Sequence, residues 1–132
     1  MKLSIFITVA KNPDERMDPW KEAIESYKQI ADEVVVLHGE DGEEWQDENI
    51  KHIYFDWPEE FDWSFIGEQF QRGYDACTGD WVVRMDSDYI LHEKSAGRLL
   101  QELKMSGKMP LALMHKWQFI LVDRYNLKSI IA

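Results

Sequence analysis

The sequence predicts an α/β fold in which a mostly parallel β-sheet has helices on both of its faces. Short runs of β-branched and aromatic residues alternate along the chain with longer segments whose apolar residues recur at helical spacing. This alternation gives the order β-α-β-β-α-β-α-β, and parallel strands need crossover helices of this kind. At 132 residues the chain is long enough to form one domain with a buried core, so we predict a single domain over residues 1–132.

The first half of the chain predicts three strands and one helix. Leu3–Val9 is rich in β-branched and aromatic residues, as is typical of a strand at the centre of a parallel sheet. Asp18 and Pro19 suit the N-cap and the first position of a helix, whose buried face would run from Trp20 to Ala31. Two further strands are predicted at residues 34–37 and 50–55.

The second helix is predicted to begin after Asp62, which can accept a hydrogen bond from the first turn. Gly79 is predicted to end this segment in the left-handed conformation. The residues expected to share the buried stripe of this helix are Trp63, Ile66, Phe70, Tyr74 and Cys77.

The remaining elements follow the same alternation. Residues 81–85 predict a fourth strand, and Glu93–Met105 predicts a third helix. A fifth apolar run covers 111–114 and continues as strand over 117–122. The residues expected to face inward from the third helix are Ala96, Leu99, Leu100 and Leu103.

Composition and charge exclude several classes of partner. The formal net charge of −10 argues against nucleic acid and against an anionic membrane surface, because both favour basic patches. No segment reaches the roughly 20 apolar residues that a membrane span needs. Cys77 is the single cysteine, so an intrachain disulfide is excluded and a reducing, cytoplasmic location is expected.

The motif Asp86-Ser87-Asp88 follows directly after the predicted fourth strand. Two carboxylates one residue apart can bind a hard cation such as Mg²⁺ or Mn²⁺, and ligands of open parallel sheets bind beyond the carboxyl ends of the strands. A solvated acidic turn would carry the same residues, but the preceding glycine and buried strand favour a site. Arg84 shares a strand face with Asp86, and an ion pair between them is favoured over a phosphate contact.

Residues 80–88, Asp-Trp-Val-Val-Arg-Met-Asp-Ser-Asp, resemble the lead into the DXD motif of family-2 glycosyltransferases. Residues 18–27 and 30–36 are similar to the first helix and second strand of that family, and 73–79 extend the likeness, which covers residues 1 to 105. The resemblance implies a Rossmann-like, GT-A-like domain that is truncated or minimal and lacks the half that binds the acceptor. It also implies a nucleotide-diphospho-sugar donor with Mg²⁺ or Mn²⁺ as cofactor.

The resemblance assigns roles to individual positions. Three residues at the end of the first strand would lie beside the base, and the end of the second strand would touch base or ribose. An arginine near the end of the second helix is a candidate phosphate contact. The donor-binding residues implied are Thr8, Val9, Ala10, His38, Arg72 and Asp86, and the metal ligands implied are Asp86 and Asp88.

The sequence is compatible with two functions. One is a metal-dependent glycosyltransferase, or its donor-binding part, acting on an unknown acceptor; the other is a catalytically silent domain that binds a nucleotide or a protein partner. No catalytic residue is assigned, because Asp123, the one acid beyond the third helix, is better explained as a turn residue. Trp45 and Trp57 lie in predicted loops, where packing is favoured over stacking on a base. A free sheet edge could pair with a second copy, which would give a homodimer.

Overall fold

A computed structural model describes residues 2–40, 47–60, 62–105, 118–122 and 127–131 of the chain. Nine helices and strands lie within these ranges. The chain divides into two compact units, Met1–Gly97 and Arg98–Ala132. The strands are β1 Leu3–Val9, β2 Glu33–His38, β3 Ile50–Tyr54, β4 Trp81–Asp86, β5 Gln118–Val122 and β6 Leu127–Ile131. The helices are α1 Trp20–Tyr27, α2 Trp63–Ala76 and α3 Glu93–Met105.

The first four strands form an all-parallel sheet in the order β3-β2-β1-β4. From β1 the chain moves outward to β2 and β3, and it then returns to pair β4 with the other side of β1. The strand order therefore reverses between β1 and β4, where Thr8 lies beside Asp86 in register. This arrangement is an α/β, Rossmann-like fold, and it confirms the predicted fold class.

Helices lie on both faces of the sheet, as predicted. α2 covers one face so closely that a Cβ at Gly73 would lie 2.4 Å from Phe6 Cδ2. On the opposite face, the ring of Trp20 in α1 meets the ring of His38 edge-on, with 5.6 Å between centroids. The buried cluster under α2 consists of Phe6, Val35 and Leu37.

The central strand and the third helix match their predicted bounds. β1 pairs on both sides and is covered on both faces, which explains why it is apolar almost throughout, with Leu3, Ile5 and Ile7 fully buried. In α3, Ala96 and Leu103 are buried as the helical spacing predicts.

The predicted start of α1 is wrong by one residue. Pro19, not Asp18, occupies the cap position, and no side chain bonds to the first turn. The Asp18 carboxylate instead accepts a hydrogen bond from Arg16 Nε at 2.8 Å, because a charged guanidinium is a stronger donor than a backbone amide. The helix ends at Tyr27, so residues 30 and 31 lie beyond it.

The predicted cap of α2 is confirmed, since Asp62 Oδ1 accepts from Ser64 N at 2.9 Å. The predicted buried stripe is wrong at Trp63, which is 77% exposed, and at Tyr74, which is 57% exposed. It is confirmed at Phe70 and Cys77, which pack against the cluster under the helix.

The most buried residues of α2 are Phe65, Gln69 and Gly73. Gly73 lies against Phe6 of the sheet, and Phe65 packs against Phe55 and Trp57 in the segment after β3. A glycine gives no hydrophobic signal, so the stripe that makes the closest approach is hidden from a periodicity argument.

Gly79 does not end α2 in the left-handed conformation. The helix ends at Ala76, Cys77 is extended, and the φ of Gly79 lies outside the left-handed region. Gly79 lies instead against β1, where its N–H donates to Ser4 Oγ at 2.7 Å and an added Cβ would lie 2.5 Å from the same atom. A close backbone approach, rather than a turn, accounts for this glycine.

In the second unit, β5 and β6 pair antiparallel as a two-stranded sheet of their own. The strand predicted over 117–122 is therefore present at Gln118–Val122, but it does not extend the parallel sheet. The run predicted at 111–114 and residues Trp45 and Asp123 lie outside the described residues. Across the described ranges, no helix combines the length and apolar character that a bilayer crossing requires.

Candidate functional site

A cleft with a volume of about 290 Å³ opens at the carboxyl ends of β1 and β4. Its walls come from the segment after β1, the loop after β3 and the turn after β4. The cleft therefore lies where the strand order reverses, which is the usual ligand position in open parallel sheets. The lining residues are Thr8, Ala10, Arg16, Asp18, Trp57, Asp86, Ser87 and Asp88.

The two predicted metal ligands both line this cleft, but their surroundings differ. Asp86 Oδ1 accepts from Arg84 Nη1 at 2.7 Å, which confirms the ion pair expected from sequence. The pKa of Tyr89 is raised by burial and then by the charge of Asp86, to which its hydroxyl is also hydrogen-bonded. Asp88 is exposed, and it accepts no hydrogen bond within the described ranges. Asp88 is thus the carboxylate that is more available to a ligand.

The C-terminal part of α1 fixes the backbone of residues 86–91. The hydroxyl of Tyr27 lies 2.5 Å from Asp86 O and 2.6 Å from Tyr89 O, and it donates to one of them at a time. Ser26 Oγ accepts from Leu91 N at 2.9 Å. Burial, followed by the charges of Asp86 and Asp88, raises the pKa of Tyr27, so its hydroxyl stays protonated and remains a donor.

Trp57 forms the wall contributed by the loop after β3. Its backbone N–H donates to Gly39 O at 3.0 Å, and its ring lies against the end of β2, where a Cβ at Gly39 would be 2.6 Å from Trp57 Cδ1. The ring also meets Phe65 edge-on, with 5.9 Å between centroids. The packing role favoured by the sequence is present, and the side chain also lines the cleft.

The segment between β1 and α1 contributes Arg16 and Asp18, which the sequence did not single out as site residues. Their side chains form an ion pair at 2.8 Å on the cleft wall. Two non-glycine residues of this segment, Asn12 and Met17, have positive φ values of 51° and 57°. The sequence signal that could have indicated these two residues is their place in the chain, because they belong to the segment that directly follows the carboxyl end of β1.

Among the donor-binding residues implied by the resemblance, Thr8, Ala10 and Asp86 line the cleft, whereas Val9 does not. Val9 is 1% exposed and points to the opposite face of the sheet from Thr8, because side chains alternate along a strand.

His38 also lies on the opposite face of the sheet, away from the residues that line the cleft. Its Nε2 is 2.7 Å from His52 Nδ1, and its ring stacks on Tyr54 with 4.6 Å between centroids. Burial, followed by the neighbouring His52, lowers the pKa of His38 to about 4, so the ring is neutral at pH 7. His38 therefore acts in packing in this arrangement.

Arg72 is engaged within α2 and the loop that precedes it. Its Nη1 donates to Gln69 Oε1 at 2.9 Å, and its guanidinium lies 3.6 Å from the ring centroid of Phe55. It is not part of the cleft lining.

The donor groups that this cleft offers to a cation include carboxylate oxygens, those of Asp86 and Asp88 among them. Within the described ranges, no group of three or more His, Cys, Asp or Glu side chains is arranged around a single cation position. Carboxylate oxygens nevertheless suit Mg²⁺ and Mn²⁺, and such a cation usually keeps positions for water or phosphate oxygens. Two carboxylates in an open cleft therefore fit a cation that is held jointly by protein and ligand.

The chain matches no family model and no curated protein.

Proposed function

We propose that this chain is a metal-dependent glycosyltransferase, or the donor-binding part of one, which binds a nucleotide-diphospho-sugar in the cleft between β1 and β4. The observation that carries the proposal is the position of Asp86 and Asp88, at the carboxyl end of β4 in a cleft where the strand order reverses. The resemblance of residues 80–88 to the DXD segment of family-2 glycosyltransferases supports the same assignment.

The charges in the cleft support a requirement for a cation. Three carboxylates, those of Asp18, Asp86 and Asp88, line the cleft together with the guanidinium of Arg16. A diphosphate brought among them would be repelled, since like charges at short range destabilise each other. Asp86 and Asp88 would hold Mg²⁺ or Mn²⁺, which when bound would offset the negative charge that develops on a leaving diphosphate.

The protein's own side chains would position the donor. Tyr27 holds the backbone of the turn that carries Asp88, so this carboxylate is presented from a fixed segment. The ring of Trp57 offers an apolar wall on which a base or a sugar could stack. Thr8 adds a hydroxyl on the floor, beside Asp86. Cytoplasmic location belongs to the same proposal, supported by the single cysteine.

A second candidate is a domain of this fold that binds a nucleotide without transferring a sugar. It is favoured by the contacts of Asp86, which is engaged by Arg84 and by the Tyr89 hydroxyl. Release of nucleoside diphosphate from a panel of nucleotide sugars in the presence of Mn²⁺, with water or an added hydroxyl compound as acceptor of the sugar, separates the two functions. Turnover that disappears in Asp88→Ala supports transfer, whereas tight binding without turnover supports the second candidate.

Titration calorimetry with UDP, GDP, ADP, CDP and dTDP tests donor binding directly. We expect at least one diphosphate to bind in Mn²⁺ or Mg²⁺ and to lose its binding in EDTA, and we expect Asp88→Ala to abolish binding. Asp75→Ala is the matched control, because Asp75 is an exposed carboxylate on α2 whose contact is with Gln71. Equal affinity with cation and with EDTA would contradict the site assignment.

A further inference from the structure

Arg16 is the cationic side chain among the described residues that line the cleft. The other charged lining residues are the carboxylates of Asp18, Asp86 and Asp88. Arg84, the other guanidinium near this edge, is paired with Asp86 and lies 4.6 Å from the ring centroid of Phe70. Among the described lining residues, the cation that can meet an anionic ligand therefore comes from the segment between β1 and α1.

The contacts of Arg16 leave most of its donors available. Its Nε donates to Asp18 Oδ2 at 2.8 Å, whereas Nη1 and Nη2 bond to no residue in the described ranges. The side chain is 59% exposed. A guanidinium carries several donors in one plane and can hold a carboxylate and a phosphate at the same time, which an ammonium does less well.

The backbone holds Arg16 at this position. Its N–H donates to Asn12 O at 3.1 Å, and Asp18 N donates to Pro13 O at 3.0 Å, so the segment folds back on itself before α1 begins. Asp18 is therefore close enough in sequence and in space to fix the direction of the guanidinium. The positive charge comes from a different segment of the chain than the two carboxylates after β4.

We propose that Arg16 binds the phosphate end of the ligand through Nη1 and Nη2, and that Asp18 is a positioning residue which orients the guanidinium through Nε. This inference rests on the proposed function, because it takes the ligand to be a nucleoside diphosphate. It makes the β1–α1 segment a second part of the cleft, beside the proposed cation site, that distinguishes a diphosphate from an uncharged nucleoside.

The test compares the affinity for a diphosphate with the affinity for its nucleoside. The probe is the diphosphate that binds the wild type most tightly in calorimetry, together with the matching nucleoside, which is titrated by NMR chemical-shift perturbation. We expect Arg16→Gln to weaken diphosphate binding about tenfold or more and to leave nucleoside binding unchanged. Arg16→Lys should recover part of the loss, and Asp18→Asn should give a smaller loss that is again confined to the diphosphate.

Arg98→Gln is the matched control, because Arg98 is an exposed guanidinium on α3 that pairs with Glu102 within the same helix. Diphosphate binding that is unchanged in Arg16→Gln would overturn the inference while leaving the proposed function intact. Equal weakening of diphosphate and nucleoside would overturn it as well, since that is the result of a purely structural role. A wild-type protein that binds no diphosphate would overturn the proposed function itself.

Discussion

Tyr27 shows how a single buried side chain connects the core to the cleft. The residue is fully buried in α1, yet its hydroxyl reaches two backbone carbonyls of the turn that follows β4. These carbonyls flank the segment that carries Asp88. The side chain therefore fixes this segment, and with it Asp88, relative to α1. The proposed cation site depends on the carboxylate of Asp88.

We expect Tyr27→Phe to lower the free energy of unfolding by about 1–2 kcal/mol, because two carbonyls in a partly buried setting lose the hydroxyl that donates to them. Hydrogen exchange at the amides of residues 87–90 should become faster at the same time. Urea denaturation and hydrogen-exchange mass spectrometry measure the two effects. Tyr74→Phe is the control, since Tyr74 is 57% exposed. Unchanged exchange in Tyr27→Phe would mean that the turn is held by other contacts.

At the scale of single residues, the sequence predicts which strand ends form the cleft better than it predicts the side chains that face it. Thr8, Ala10 and Asp86 reach the cleft, but Val9, one position away, points to the opposite face. Strand alternation would have separated Val9 from its neighbours. Arg16 could not be found in this way, because the path of an irregular segment has no sequence period.

The helix α2 illustrates the same limit at the scale of elements. Its cap is readable from Asp62, because the side-chain acceptor and the first turn are neighbours in sequence. Its buried face could be predicted only in part: Phe70 and Cys77 pack against the core cluster as expected, whereas Gly73 packs against Phe6 without contributing a side chain of its own. Large apolar residues at helical spacing, Trp63 and Tyr74, are left exposed as a consequence.

Two glycines of α2 give a paired test of this packing. A Cβ at Gly73 would lie 2.4 Å from the buried ring of Phe6, whereas a Cβ at Gly67 would meet no atom within 4 Å. We expect Gly73→Ala to destabilise the protein by about 1–3 kcal/mol, since neither the ring nor the sheet can easily move. Gly67→Ala should stabilise it by about 0.5–1 kcal/mol through helix propensity.

Urea denaturation of both variants measures the difference. If Gly73→Ala were stabilising as well, α2 would lie farther from β1 than the structure places it. Because both substitutions are glycine to alanine in the same helix, their propensity terms are alike, and the contrast between them isolates the contact with Phe6.

For the molecule as a whole, alternation of apolar runs was sufficient to predict a parallel sheet with helices on both faces. The reason is physical: buried parallel strands must be apolar almost throughout, as in β1, and their crossovers must be helices with one apolar face. The hairpin β5–β6 departs from this pattern, because an apolar strand does not specify which partner it pairs with. The charge balance in the cleft likewise depends on segments that only the fold brings together.

His38 links the pH of the solution to the stability of the fold. Burial and the neighbouring His52 lower its pKa from 6.5 to about 4 in the folded protein, whereas the unfolded chain has the ordinary value. At a pH between these two pKa values, the unfolded state binds a proton at His38 that the folded state does not bind. This contribution to stability is therefore fully present above pH 6.5 and is lost as the pH falls toward 4. We expect a loss of about 1–3 kcal/mol from this residue over that range.

Urea denaturation at intervals from pH 7.5 to pH 4 measures this loss of unfolding free energy. The carboxylate of Glu33 would add to the loss only at the acidic end of the range. Burial alone would raise the pKa of Glu33, but hydrogen bonds from Ser4 and Thr78 lower it overall. His38→Phe, which keeps an aromatic ring beside Tyr54, should flatten the dependence above pH 5, whereas His92→Asn, at an exposed histidine, should not. An NMR titration of wild-type His38 checks the same point without a variant. A midpoint near 6.5 would show that the ring is not buried as described and would remove the basis for the pH effect.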